Sequence, residues 1–114
     1  MPWFYAASDC LLMTSDLEGS PNCVMEALAC GVPVVGVLVG NVSEMIDTPE
    51  RGRIVPRDPH LLANAVEDVL RSRAPVRGCL LPERLRASNV AKRLVEIYRS
   101  ISLAQPAVVM SGSN

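Results

Sequence analysis

The stretch Cys10-Leu11-Leu12-Met13-Thr14-Ser15-Asp16-Leu17-Glu18-Gly19-Ser20-Pro21-Asn22-Cys23-Val24-Met25-Glu26-Ala27-Leu28-Ala29-Cys30-Gly31-Val32-Pro33-Val34-Val35-Gly36-Val37-Leu38-Val39 decides the fold of this chain. It opens with four apolar residues in a row, as expected of a short strand buried on both faces. Residues 14–21 are rich in Ser, Asp, Glu, Gly and Pro and read as a loop. Residues 23–30 are mostly good helix formers; Gly31 supplies the usual stop at C′, with Pro33 soon after. Residues 34–39 form a second continuous apolar run and hence a second buried strand. Strand, loop, helix, strand, with no polar alternation in either strand, is a βαβ unit: parallel strands joined by a right-handed crossover.

Upstream, residues 1–8 hold three of the chain's four aromatic residues and then Ala6 and Ala7, like the last turn of a helix. Trp3, Phe4 and Tyr5 are expected either to pack against the sheet or to form an exposed association patch. Downstream, Gly40-Asn41 is a loop, a short helical piece begins at Ser43, and Arg53-Ile54-Val55 offers a third, short strand. Asp58 followed by Pro59 is a strong helix start, an N-cap acceptor with proline at N1. Leu61, Leu62, Ala65, Val66, Val69 and Leu70 then recur at helical spacing as one apolar face. Residues 73–82 read as a linker with two prolines and a glycine. Residues 83–101 read as an amphipathic helix with Val90, Ala91, Leu94, Ile97, Tyr98 and Ile101 on its buried side.

The expected class is therefore α/β: a truncated Rossmann-like parallel sheet with C-terminal helices, one domain over residues 1–102 and a flexible tail over 103–114. A parallel sheet of two or three strands leaves faces and edges uncovered. The chain is expected to be a fragment, to complete its sheet with another chain, or to associate with itself through those edges.

Composition removes several function classes. With 114 residues, 49% hydrophobic and 20% charged, the chain is ordinary globular material. A net charge of −1 gives no general pull toward nucleic acid or an anionic membrane, so no nucleic acid partner is expected. Any anion must be held by local geometry. Cys10, Cys23, Cys30 and Cys79 make no CxxC pair and His60 is the sole histidine, so no metal site is expected. Cys10, Cys23 and Cys30 lie in apolar runs and are expected to be small buried hydrophobes in a reducing compartment. No basic-then-apolar leader opens the chain, and the longest apolar run, residues 32–39, is too short and too interrupted to span a membrane. A cytoplasmic location is the expectation, which leaves the Asn41-Val42-Ser43 acceptor pattern without consequence.

In an open α/β sheet, ligands bind beyond the carboxyl ends of the strands. The loop that leaves the first strand, residues 15–22, runs straight into a helix. Gly19 lets backbone approach a ligand closely, Ser20 or Asn22 can cap the helix, and the free N–H groups there make an anion site. Glu18 in the loop and Glu26 one turn into the helix can face the same crevice as acceptors for sugar and ribose hydroxyls. The plainer reading of both is a solvated carboxylate. Glu44 at the next helix start can face the crevice, although a carboxylate there is common for dipole reasons alone; His60 and the arginines at 71, 73, 77, 84 and 86 read as solvated surface.

Residues 18–35, from Glu18-Gly19-Ser20-Pro21-Asn22 through Glu26-Ala27-Leu28 to Gly31-Val32-Pro33-Val34-Val35, resemble the EX7E signature of the family 4 (group 1) retaining glycosyltransferases. Ala7-Ser8-Asp9 with its following apolar run resembles that family's first strand. Gly40-Asn41-Val42-Ser43-Glu44 resembles its GGxxE loop, Gly52-Arg53-Ile54-Val55-Pro56 its GxLVP turn, and Tyr98-Arg99 its closing pattern. The resemblance implies the C-terminal half-domain of a GT-B fold that binds a nucleoside diphosphate sugar without a metal or other cofactor. It gives Glu26 the ribose hydroxyls and makes Glu18 the candidate catalytic residue, in contact with donor-sugar hydroxyls. The backbone of Gly19, Ser20, Pro21, Asn22 and Cys23 would approach the sugar and diphosphate. Asn41 and Thr14 depart from the glycine and proline common in the family. The family's donor-phosphate arginine and lysine and its acceptor-binding lobe have no counterpart in these residues, so the isolated chain is expected not to transfer sugar alone; the alternative is a noncatalytic interaction module or a subunit completed by a partner.

Overall fold

The computed structural model describes residues 2–72 and 78–104. The elements run α1 (Pro2–Ala6), β1 (Leu11–Met13), α2 (Asn22–Ala29), β2 (Val34–Gly36), α3 (Val42–Met45), β3 (Gly52–Ile54), α4 (Pro59–Arg71), a 3-10 turn (Glu83–Leu85) and α5 (Ala87–Ala104). They fall into two compact units, one up to Pro82 and one from Glu83 on. Arg73, Arg77 and residues 105–114 of the expected tail lie outside the described residues.

The first unit is built on a parallel sheet in the order β1-β2-β3, with Leu11 opposite Val34 and Val34 opposite Gly52. β2 is the central strand and is buried along its whole length. Val35 and Val37 pack against Leu62, Ala65 and Val69 of α4, with Cys10, Val39, Val55 and Val66 around them. Val34 points to the opposite face by strand alternation, the sheet side chains there being joined by the fully buried Val24 and Leu28 of α2. Each such buried valine or leucine contributes about 1.5–3 kcal/mol of transfer free energy.

Two helix ends, the stop of α2 and the start of α4, follow the sequence closely. Gly31 has φ 76°, and its N–H bonds the Leu28 carbonyl while Val32 N–H bonds that of Ala27. This doubled closure satisfies two terminal carbonyls and needs the left-handed residue that glycine supplies. At α4 the Asp58 carboxylate accepts from the amides of His60 and Leu61, both at 2.9 Å, with Pro59 at N1.

Several burial expectations are corrected. β1 is not buried on both faces: Leu12 is 52% exposed, because β1 is an edge strand and its apolar run reports composition, not position in the sheet. Trp3 and Phe4 do not pack on the sheet; they are 77% and 67% exposed, and only Tyr5 of the trio turns partly inward toward α2. Cys30 is exposed and Cys10 and Cys23 are half-buried, all of them free thiols. Burial raises the Cys10 thiol above its usual range, although a backbone hydrogen bond from Val35 works the other way. On α4, Leu61 and Leu70 lie outside the buried stripe. Within the second unit, α5 carries the expected apolar stripe, and none of its residues is buried by that unit itself. Helical periodicity says which residues share a face and not what lies against it.

Candidate functional site

Three connections meet at the carboxyl edge of the sheet: residues 14–21 after β1, 37–41 after β2 and 55–58 after β3. The first two touch. The Asn41 amide donates to the Gly19 carbonyl at 3.0 Å. Gly40, at φ +53°, packs so closely that an added Cβ would fall on the Gly19 carbonyl oxygen and lie 2.6 Å from that of Glu18. Only glycine fits there, for steric as well as conformational reasons.

The seven residues expected at the site are distributed along this edge. Glu18 is half-buried, Gly19 and Ser20 are exposed in the bend, Pro21 is buried, Asn22 is exposed and Cys23 half-buried at the start of α2, and Glu26 is exposed on that helix. A Cβ at Gly19 would meet nothing within 4 Å, and its φ is not positive. The protein's own packing therefore does not require a glycine at that position.

The expected cap of α2 is corrected. Neither Ser20 nor Asn22 caps it; Pro21 is the N-cap residue, with no side-chain hydrogen bond, and its carbonyl accepts from Val24 and Met25. Proline has no acceptor side chain, so the first amides of α2, at Asn22 and Cys23, have no intrahelical partner. These donors, with the positive end of the helix dipole, suit an anion.

Two participants were not singled out by sequence. Arg57, from the β3–α4 connection, donates from Nη1 to the Thr14 carbonyl and from Nη2 to the Ser15 carbonyl, both at 2.6 Å. Its guanidinium also lies 3.0 Å from Asp16. The available signal was its place directly after the third strand and before the capping Asp58, which puts it on the ligand-binding edge. Tyr5, read only as a packing aromatic, hydrogen-bonds Glu26. Its phenol titrates above the usual tyrosine value, first through burial, then through that hydrogen bond and the Glu26 charge. The Asn41 side-chain oxygen is buried without a protein hydrogen bond. Among the described residues, no three His, Cys, Asp or Glu side chains are grouped as a metal-binding set.

Comparison with known proteins shows the family of the chain. The profile of the family described as "Glycosyl transferases group 1" matches residues 1–72, the strands and loops just described. The chain belongs to the group 1 glycosyltransferases. It is 28% identical over 105 residues to O-antigen chain mannosyltransferase B of Escherichia coli, covering 87% of this chain and 27% of that protein. It is 32% identical over 103 residues to D-inositol 3-phosphate glycosyltransferase of Corynebacterium urealyticum, covering 85% and 24%. With N-acetyl-alpha-D-glucosaminyl L-malate synthase of Bacillus anthracis it shares 40% identity over 47 residues, covering 41% and 12%. The chain thus spans about a quarter or less of the length of these relatives. No solved structure gives a significant match.

In this group 1 glycosyltransferase chain the parallel three-stranded sheet is that of a truncated Rossmann-like half-domain. No described helix is long and apolar enough to cross a membrane.

Proposed function

We propose that the carboxyl edge of this sheet is the donor side of a retaining glycosyltransferase, binding a nucleoside diphosphate sugar whose sugar is passed to an acceptor. The observation that carries the reading is the open ground at Gly19: a residue with no side chain, needing none removed for the protein's own packing, one short bend before the unpaired amides of α2. A diphosphate needs N–H donors rather than bulk positive charge, and the start of α2 has them. As C–O bond cleavage places negative charge on the departing diphosphate, donors already in place stabilise it without reorganising.

In this reading Glu26 accepts from ribose hydroxyls and Glu18 from donor-sugar hydroxyls. The backbone from Gly19 to Cys23 approaches the sugar and diphosphate, and no metal or other cofactor takes part. The names of the relatives mention a mannosyl group, D-inositol 3-phosphate and glucosaminyl L-malate. Such variety in the names singles out no one sugar or acceptor for this chain. Acceptor binding and the full transfer belong with the remaining length that the relatives possess, supplied by the same polypeptide or by a partner, in the cytoplasm.

Calorimetric titration of the chain with UDP, GDP and their sugars tests the proposal. Binding that drops about tenfold in Glu26→Ala, the loss of roughly one charge-assisted hydrogen bond, supports it. Binding indifferent to Glu26 and Glu18 substitution, or no binding by a folded chain, removes it.

A further inference from the structure

The β1–α2 loop is held from three sides. Backbone holds two of its points: Asn41 N–H on the Gly19 carbonyl, and the α2 amides of Val24 and Met25 on the Pro21 carbonyl. The third hold, at the exit from β1, is the side chain of Arg57, reaching Thr14 and Ser15 across 43 and 42 residues of sequence. We infer that Arg57 is a positioning residue of the donor site, ordering the loop that presents Glu18 and Gly19.

The chemistry selects arginine. Two successive carbonyls and one carboxylate, all acceptors, surround one side chain, and a planar guanidinium can donate to all three at once. A lysine ammonium is a compact point charge and cannot reproduce that planar fork. The charge itself matters little: the Arg57 and Asp16 side chains are 46% and 93% exposed, so their ion pair is solvent-screened. What Arg57 contributes is the fixed direction of the chain as it leaves β1. A loop held in its binding geometry gives up less conformational entropy when a ligand arrives. Residues 14–16 lead directly to Glu18, so freedom at the exit is freedom at the candidate sugar contact. Arg57 itself touches no donor in this assignment.

The inference rests on the donor-binding reading for its purpose but not for its mechanical part, and the two separate experimentally. Hydrogen exchange on the 114-residue chain, comparing wild type with Arg57→Ala and Arg57→Lys, reads the mechanical part. Exchange over residues 14–20 should quicken about tenfold in Arg57→Ala and be only partly restored in Arg57→Lys, with β2 and α4 unchanged. Unchanged loop exchange overturns the inference, and so does uniform acceleration across the first unit. Titration then reads the purpose. In Arg57→Ala, UDP- or GDP-sugar binding should weaken about tenfold while the bare nucleotide changes less than about twofold, since residues 14–16 lead to the Glu18 sugar contact, whereas the α2 amides proposed for the diphosphate are held through the Pro21 carbonyl and not by Arg57. Equal loss for both ligands overturns it, because that outcome makes Arg57 a contact of the diphosphate or a support of the whole unit. A wild-type chain that binds none of these nucleotides ends the donor reading and Arg57's service to it, while the exchange result still decides whether Arg57 orders the loop.

Discussion

Gly40 and Gly19 lie against each other at the carboxyl edge of the sheet, and each lacks a side chain for the opposite reason. Gly40 has a positive φ and a neighbour's backbone where its Cβ would be; Gly19 has neither. The first is glycine because the fold demands it, the second is left unexplained by anything inside the protein. The contrast separates this edge into positions that build the loops and positions that the loops hold out, and a ligand site is made of the second kind.

The strongest way to break the contrast is Gly40→Ala. A left-handed residue with a Cβ costs about 1–2 kcal/mol. The overlap with the Gly19 and Glu18 carbonyls adds to it, so a loss of roughly 3 kcal/mol in urea unfolding is expected. A loss under about 0.5 kcal/mol, within the ordinary surface range, would mean that the two loops do not meet as described.

Gly19→Ala is the counterpart. The methyl enters open space, so stability should stay within about 0.5 kcal/mol of wild type. Titration with the nucleotide sugar bound by wild type should show about a tenfold loss, because the same open space is where the donor is proposed to lie. A variant that binds as wild type does would place the donor elsewhere; a variant that unfolds would make Gly19 another glycine of the Gly40 kind.

How much of this was legible in the sequence divides along the same line. The βαβ order, the Gly31 stop, the third strand and the Asp58 cap could all be read, because each depends on residues within a few positions of one another. Burial could be read less well. The apolar runs of β1 and β2 look alike, yet the edge strand exposes Leu12 while the central strand is buried throughout. Sequence gives apolarity, whereas burial depends on neighbours brought from afar. The frame of the candidate site was legible because Glu18 to Glu26 is one short segment. Arg57 was not, since its partners lie 42 and 43 residues away and a lone arginine in a turn carries no sign of them.

Asp58, the next residue, sharpens the comparison at smaller cost. Its carboxylate satisfies two amides of α4 and nothing in the β1–α2 loop. Asp58→Ala should lower stability by about 1 kcal/mol, the usual worth of an N-cap. Loop exchange over residues 14–20 should stay as it was. Adjacent residues would then be assigned to different tasks, Asp58 to the helix and Arg57 to the loop. Quickened loop exchange in Asp58→Ala would merge them into one structural turn.

The smallest effect concerns Glu26, which stands between the two kinds of position: proposed for a ligand, yet already bonded to Tyr5. The Tyr5 phenol is raised by burial first and by Glu26 second, so Glu26→Gln should bring its titration partway back toward the usual value. Tyrosinate absorbance in a Tyr98→Phe background isolates Tyr5, since the chain has two tyrosines. The sign of the linked stability follows. A raised folded-state pKa contributes stability that is complete below the unfolded value of about 10 and disappears as pH climbs through the folded one. The alkaline loss of stability should therefore be shallower in Glu26→Gln. A Tyr5 titration indifferent to Glu26→Gln would show that the pair does not persist in solution, and would put Glu26 with Gly19 among the positions the fold leaves free.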